Sequence, residues 1–596
     1  MLNELANYAH KNNLISIPGF KEKNIKWVIV LSESGEFVAI EKTNRNFSTV
    51  PVLEQRELVG GSETRSHFLV DSAEVVLCLV EKEKPDKKSI KVRDKHQYFK
   101  KLLINASKEE PLLKVCSICL EDAQLLKQIQ THFKMIKGKK SDNITFKVGS
   151  IYPVDKDSWY KWWQDFRDSL GGKGYDQEES MICLLDGSKV TPMLSHSKVS
   201  GLNIVGGQQT GTAFVSFDKE AFQSFGLKQS QNAACSEEAV AIYRTALDNL
   251  IKNAPRPLAG ALYLHWYKES IPLECDLLKD WDEKEDNISI RNAIENANRL
   301  IKAANEGIHP QLLNNRYYIL VLSGAGGRIM VRDWLQGDYA ELTKNMQQWF
   351  NDLSIISSNG RGKLEYVKFW AYLVRLVAYR KGEKIQNLSE RIDKELAPLM
   401  PRIWRSIVRG NILPDTVASR SLAYLRSEML DSGDENSKQV DNLDSLACSL
   451  LKAWYIRKNK SKGGIVHMDV ELNLAHPSVA YHAGRMMAVL AEVQKAALGD
   501  VGAGIVQRYY AAASSTPALV LGRLIRQAQF HLSKLENKGQ SIWYEKLLQE
   551  ISEKVGDSLP KTLNLEEQTL FALGYYQQKA HMYKPTEKNV SSHEKN

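Results

Sequence analysis

Short alternating and β-branched runs dominate the first 80 or so residues. Trp27–Leu31 and Phe37–Ile40 flank Ser32-Glu33-Ser34-Gly35-Glu36, a pattern that predicts a β-hairpin. Gly60-Gly61-Ser62 breaks the chain before Phe68-Leu69-Val70, and a helical period sets in from Leu102 to about Met135. A mixed block runs from about Ile151 to Trp349. It holds the loop Gly206-Gly207-Gln208-Gln209-Thr210-Gly211 and then Thr212–Phe217, which alternates like a strand. Ser236–Asn253 reads as a helix with Ser236 as N-cap and Glu237 and Glu238 at the positive end of its dipole. Tyr317–Leu322 and Arg328–Trp334 flank Ser323-Gly324-Ala325-Gly326-Gly327 and predict a second hairpin. From about Leu364 onward the pattern is almost wholly helical, with breaks at Asp431–Asn436, Lys460–Gly464 and Gly499–Gly504. The expected fold class is α+β: a mixed α/β N-terminal body with antiparallel hairpins, followed by an all-α C-terminal helical bundle. The expected divisions are 1–150, 151–363, 364–467 and 468–596.

Composition adds exclusions. The chain has 596 residues, 43% hydrophobic and 25% charged, which excludes a collagen, a mostly disordered chain and a disulfide-stapled miniprotein. The length suits several domains. No apolar run is long enough to span a bilayer, and Met1–Leu14 carries Glu4, Asn7 and His10 where a signal peptide needs an apolar core. A cytoplasmic protein without a membrane partner is expected. Of the 7 cysteines only Cys116 and Cys119 form a C-x-x-C. A structural zinc site usually takes four ligands in two such pairs, so buried reduced thiols are expected and no metal or cofactor is assigned.

The net charge of +9, from 80 Lys+Arg against 71 Asp+Glu, is too small to decide a partner. Its distribution says more. Lys82–Lys101 holds nine basic and three acidic residues, whereas Glu274–Asp286 is acidic and reads as a solvated loop. Arg402, Arg405 and Arg409 fall on one helical face, as do Arg523, Arg526 and Lys534. Thr516-Pro517 supplies an N-cap and first-turn proline for the second helix. Arginine stripes suit a phosphate backbone, although a solvated helix face gives the same spacing. Gly60-Gly61 with Arg56 and Arg65, and Gly206-Gly207 with Gln208 and Gln209, could approach a duplex closely. Glycine admits the backbone and glutamine can read base edges or act as a polar wedge; a tight turn with solvent-facing amides is the plainer reading. Phosphate-loop, nucleophile-elbow and zinc-protease motifs are absent. His476 and His482, six apart, read as surface or capping histidines.

Several segments carry a resemblance. Gly201–Asn232 (GLNIVGGQQTGTAFVSFDKEAFQSFGLKQSQN), Tyr481–Gln494 (YHAGRMMAVLAEVQ), Arg508–Leu535 and Phe571–Gln578 (FALGYYQQ) resemble the large subunit of the type I-C CRISPR surveillance complex, Cascade; Met1–Lys42 and Asn314–Trp334 match as well. The resemblance implies a non-catalytic subunit of an RNA-guided complex. Such a subunit recognises the protospacer-adjacent motif in double-stranded DNA, promotes R-loop formation, holds the displaced strand and recruits the helicase-nuclease. It implies guide RNA, backbone and end-cap subunits as partners. It carries motif sensing onto Gly206, Gly207, Gln208 and Gln209 and onto Asn44, Arg45, Arg56, Gly60, Gly61 and Arg65. The two arginine stripes become displaced-strand contacts. It also implies a small subunit translated from within the same gene. Lys462-Gly463-Gly464 can be encoded with a ribosome-binding sequence, and Met468 follows as an internal start. The rival class is a metal-dependent nuclease with dispersed carboxylates, which Mg²⁺- or Mn²⁺-dependent cleavage by purified protein would reveal.

Overall fold

The computed structural model describes residues 1–14, 17–43, 45–59, 63–80, 86–170, 180–193, 195–272, 276–278, 314–364, 369–431, 443–463, 468–499 and 504–584. The architecture is the expected one: a mixed α/β N-terminal region with antiparallel sheets, then a long all-α C-terminal region. The chain forms two compact units, Met1–Asn253 with Gly324–Met330, and Ala254–Ser323 with Val331–Asn596.

The first unit is built on β1 (Phe20–Asn24), β2 (Trp27–Leu31), β3 (Phe37–Lys42), β4 (Asn46–Pro51), β5 (Asp71–Ser72) and β6 (Asn143–Val148). Its helices include α1 (Leu2–Lys11), α2 (Lys87–Ala106), α3 (Leu112–Glu121), α4 (Ala123–Met135), α5 (Tyr160–Leu170) and α6 (Glu237–Lys252). The β2–β3 hairpin forms as its pattern predicts: Gly35 has φ +91° and its N–H donates to Ser32 O at 3.0 Å. Strand β2 is apolar throughout because it is central, pairing antiparallel with β3 and parallel with β6, and all five of its residues are buried. Helix α6 starts where its cap predicts, with Ser236 Oγ accepting from Ala239 N–H at 3.1 Å. Cys116 and Cys119 are free, buried thiols on α3, and burial pushes Cys119 up to about 12. Residues 212–217 do not form the expected strand. Only Thr212 and Ala213 make bridges, to Val199 and Arg328, and among the described residues no neighbouring strand continues alongside to receive the rest of the ladder.

A three-stranded antiparallel sheet, β9-β8-β7, is formed by β7 (Leu262–Tyr267), β8 (Arg316–Ala325) and β9 (Arg328–Asp338); it belongs to the second unit except for the hairpin tip Gly324–Met330, which belongs to the first. The expected hairpin is present, with strands longer than the pattern suggests and a turn reduced to Gly326-Gly327. Helices follow, among them α7 (Tyr339–Leu353), α8 (Met400–Val408), α9 (Asp415–Asp431), α10 (Ser445–Ser461), α11 (Val479–Leu498), α12 (Pro517–Lys534) and α13 (Leu565–Met582). They share one hydrophobic core that runs from Ala259 to Ala580. Helix α13 is buried on every side from Thr569 to Ala580, which a 3.6-residue amphipathic pattern does not anticipate.

Two local expectations are corrected here. His476 and His482 are not surface residues; they are 3% and 1% exposed. His482 Nε2 bonds His476 O and its Nδ1 meets Arg485 Nη1 at 3.0 Å, so the pair helps hold a buried arginine. Thr516 precedes α12, but its hydroxyl donates backward to Ala512 O at 3.0 Å and does not cap the helix. No helix among the described residues is long and apolar enough to cross a membrane.

Candidate nucleic-acid interface

The glutamine loop sits on a mount made of backbone. Leu202–Val205 is one turn of 3₁₀ helix, ended by Gly206 at φ +88°. The Gly207 N–H donates to Leu202 O at 2.8 Å, so this amide is already committed. A Cβ on Gly207 would lie 2.6 Å from Thr212 Oγ1, and a Cβ on Gly324 would lie 2.0 Å from Gly207 N. The glycines therefore let two stretches of main chain touch, the loop and the hairpin tip Gly324–Met330. Bridges Gly207 to Gly326 and Ala213 to Arg328 register the contact, with Ala213 N–H donating to Gly327 O at 2.8 Å. Gln208 N–H donates to Thr212 Oγ1 at 3.1 Å, which leaves the side chains of Gln208 and Gln209 exposed on a braced turn. The same tip carries Arg328, whose guanidinium lies 4.2 Å over the Phe222 ring. Phe225 nearby is fully exposed at φ +55°, an unusual conformation for an aromatic residue. Neither phenylalanine was marked by the sequence pattern; the neighbouring Gly226 turn is the one local signal.

The second predicted region is only partly in view. Asn44, Gly60 and Gly61 lie outside the described residues, and so does the side chain of Arg56, which belongs to the short helix Gln55–Val59. Arg45 pairs with Asp155 at 2.9 Å and stacks over Phe47 and Tyr152 at 4.6 and 5.3 Å. Arg65 Nη1 donates to Glu57 O at 2.6 Å. Both arginines thus hold local structure. A cationic cluster lies close by: burial lowers Lys21 and brings Lys23 down to about 8, while burial and then the charges of Lys23, Lys95 and Lys21 hold His67 well below the ordinary imidazole range. His67 Nδ1 accepts from Leu53 N–H at 3.1 Å, which suits the neutral ring. From Lys87 onward the basic stretch lies on α2; residues 82–85 lie outside the described residues. Asp86 caps it by accepting from Ser89 N–H at 2.8 Å, with Lys87, Lys91 and Arg93 exposed and Val92, His96 and Phe99 facing the core.

Both arginine stripes face solvent. On α8, Arg402, Arg405 and Arg409 are exposed while Ile403, Trp404 and Ile407 are buried. They differ in availability. Arg405 forms a forked pair with the buried Asp333, and that bond raises its pKa. Arg409 reaches Gln336 O at 3.5 Å, and Arg402 lines a cavity. On α12, Arg523, Arg526 and Lys534 are exposed, with Arg523 5.9 Å from the Tyr509 ring. The same stripe holds Leu519 and Phe530, 78% and 67% exposed. Residues 519, 523, 526, 530 and 534 fall within about 80° of the helix circumference. An aromatic ring between two cations is the arrangement that binds single strands, stacking a base while the cations take phosphates. The periodicity that picked out the arginines contained Phe530 too; reading only charges missed it.

Among the described residues no group of three or more His, Cys, Asp or Glu side chains is placed to hold a metal ion. The sequence matches the family model described as CRISPR-associated protein (Cas_Csd1) over residues 2–583. No curated protein matches the chain. A match that runs through both compact units, from α1 to the end of α13, covers every segment that carries the candidate interface, and the chain belongs to the CRISPR-associated Cas_Csd1 family.

Proposed function

We propose that this chain is the large, non-catalytic subunit of a type I-C Cascade complex. It senses the protospacer-adjacent motif in duplex DNA with Gln208 and Gln209, promotes R-loop formation, and holds the displaced strand on the cationic faces of α8 and α12. Guide pairing supplies most of the sequence specificity, so the protein needs to read only a short motif and duplex shape. Backbone and end-cap subunits, guide RNA and the helicase-nuclease are its partners. The observation that carries the reading is the family match over residues 2–583, taken with two exposed glutamines on a mount locked by backbone contacts.

Replacing Gln208 and Gln209 by Ala should leave the circular dichroism spectrum unchanged and reduce motif-dependent duplex binding by about thirtyfold or more, since two lost base contacts cost about 1–3 kcal/mol each. Motif-dependent binding unchanged by the double substitution would refute the loop's role. For α12, Arg523→Ala with Arg526→Ala should lower the slope of log affinity against log salt by about 1.4 for single-stranded DNA, about 0.7 per phosphate contact. A slope equal to that of the parent would make the stripe a solvated face. The second product belongs to the same proposal: Met468→Leu should remove a small C-terminal protein from cells expressing the intact gene. Persistence of that protein would exclude the internal start.

A further inference from the structure

Two cavities in the C-terminal unit meet at one loop. The first, about 790 Å³, has Arg332, Arg402 and Arg405 on its wall. The second, about 600 Å³, is lined by Gln348, Asp352, Arg457 and Lys460. Asn411 and Ile412 line both. Arg457 is the informative group. Its side chain is 4% exposed. Nε donates to Asp352 Oδ2 at 2.8 Å, and Nη1 donates to Ser406 O at 2.6 Å and Asn411 O at 3.2 Å. Nη2 is equally buried and donates to no acceptor among the described residues. The Trp349 ring, 5.2 Å from the guanidinium carbon, packs against the group without offering an oxygen. The Asp352 carboxylate pairs with Nε through Oδ2, and its Oδ1 accepts from Gln348 Nε2 at 2.6 Å, so neither oxygen bonds Nη2. Lys460 is exposed at the same cavity, with no ion pair among the described residues.

A buried guanidinium with two unused N–H bonds, in a residue lining a cavity whose other charges are Lys460 and the carboxylate already paired with Arg457, matches a tetrahedral oxyanion. The adjoining cavity repeats the chemistry. Arg332 is oriented by donating from Nε to Ser323 Oγ at 2.7 Å, Arg402 has no ion pair among the described residues, and Asp333 is occupied by Arg405. We infer that the cavity at Arg457 and Lys460 seats a phosphate of single-stranded DNA, and that an adjacent phosphate lies against Arg332 and Arg402 across Asn411-Ile412. This rests on the displaced-strand reading of the α8 face and extends the path to α10.

The test uses the intact chain and a ~20-nucleotide oligothymidylate, with affinity followed by fluorescence anisotropy across a salt series. Arg457 is left alone, because removing it strands Asp352 in the core. Lys460→Gln should weaken binding about threefold and lower the salt slope by about 0.7. Ile412→Trp, which fills the shared wall, should weaken binding at least as much. If Arg402→Gln weakens binding while Lys460→Gln and Ile412→Trp leave affinity and slope at the parent values, the strand follows the arginine face without entering the cavity, and the inference is overturned. If none of the three moves binding, the displaced-strand reading of α8 fails, and the inference fails with it.

Discussion

Gly484→Ala, and equally Gly574→Ala, should destabilise the C-terminal unit by about 3–5 kcal/mol, at the upper end for a single methyl group. The two glycines let α11 and α13 touch main chain to main chain. A Cβ on Gly484 would lie 1.9 Å from Phe571 O, and one on Gly574 would lie 2.0 Å from Tyr481 O. Neither neighbour is a side chain that can swing away, so the helices must separate. Separation also breaks the polar bonds that depend on the close approach: Tyr481 Oη to Gln577 Oε1 at 2.5 Å and Arg485 Nε to Gln578 Oε1 at 2.8 Å. Arg485 is fully buried, and its loss of partners adds a desolvation cost that water cannot offset. Thermal denaturation checks this directly, with Gly522→Ala as the comparison. Gly522 sits on exposed α12 with no atom within 4 Å of an added Cβ, so alanine there should stabilise by about 0.5–1 kcal/mol. A Gly484→Ala protein as stable as Gly522→Ala would mean that α11 and α13 do not pack as described.

The second large effect is functional. Gly324→Ala should weaken motif-dependent duplex binding about tenfold or more while leaving the overall fold intact. The new Cβ would lie 2.0 Å from Gly207 N and 2.4 Å from Gly207 Cα, so the hairpin tip must lift off the loop. The strands behind it survive, because Tyr317–Leu322 are buried and paired with β7 in continuous register. What is lost is the pair of bridges that hold Gly207 and Ala213. Two glutamines that must then be ordered at binding cost about 1–3 kcal/mol, about tenfold or more in affinity. Hydrogen exchange separates the outcomes: the Ala213 amide should lose protection while the amides of β8 keep theirs. Unchanged motif recognition with a released Ala213 amide would show that the glutamines do not need the tip.

These two positions mark where reading the chain in one dimension succeeds and where it stops. The β2–β3 hairpin, the Ser236 cap and the helical C-terminal half were legible because they are local. A turn residue, a cap or a 3.6-residue period acts within a few positions of itself. The exposure of both arginine stripes was legible for the same reason, since a helix with apolar residues on one side must turn its arginines outward. The strand expected at Thr212–Phe217 failed because alternation states only that a segment could line a sheet, and here two residues find partners. The histidines at 476 and 482 were misread because their burial is a tertiary effect: His482 lies on α11, against which the distant α13 packs, and His476 is held beside it through its carbonyl oxygen.

The sequence by itself determined the fold class and the family, because patterning is local and the match runs along nearly the whole chain. It nominated glycines 206 and 207 for close approach to a duplex, without showing what lies against them in the folded chain. Only the tertiary structure decided that, by setting Gly324 against them at a distance no side chain can share. The same holds for Arg457, one basic residue among several near the end of α10 until Asp352, Ser406 and Asn411 use three of its N–H bonds and leave Nη2 over. Close contact and leftover hydrogen-bonding capacity are properties of groups brought together from far along the chain, and a linear pattern of residue types carries neither.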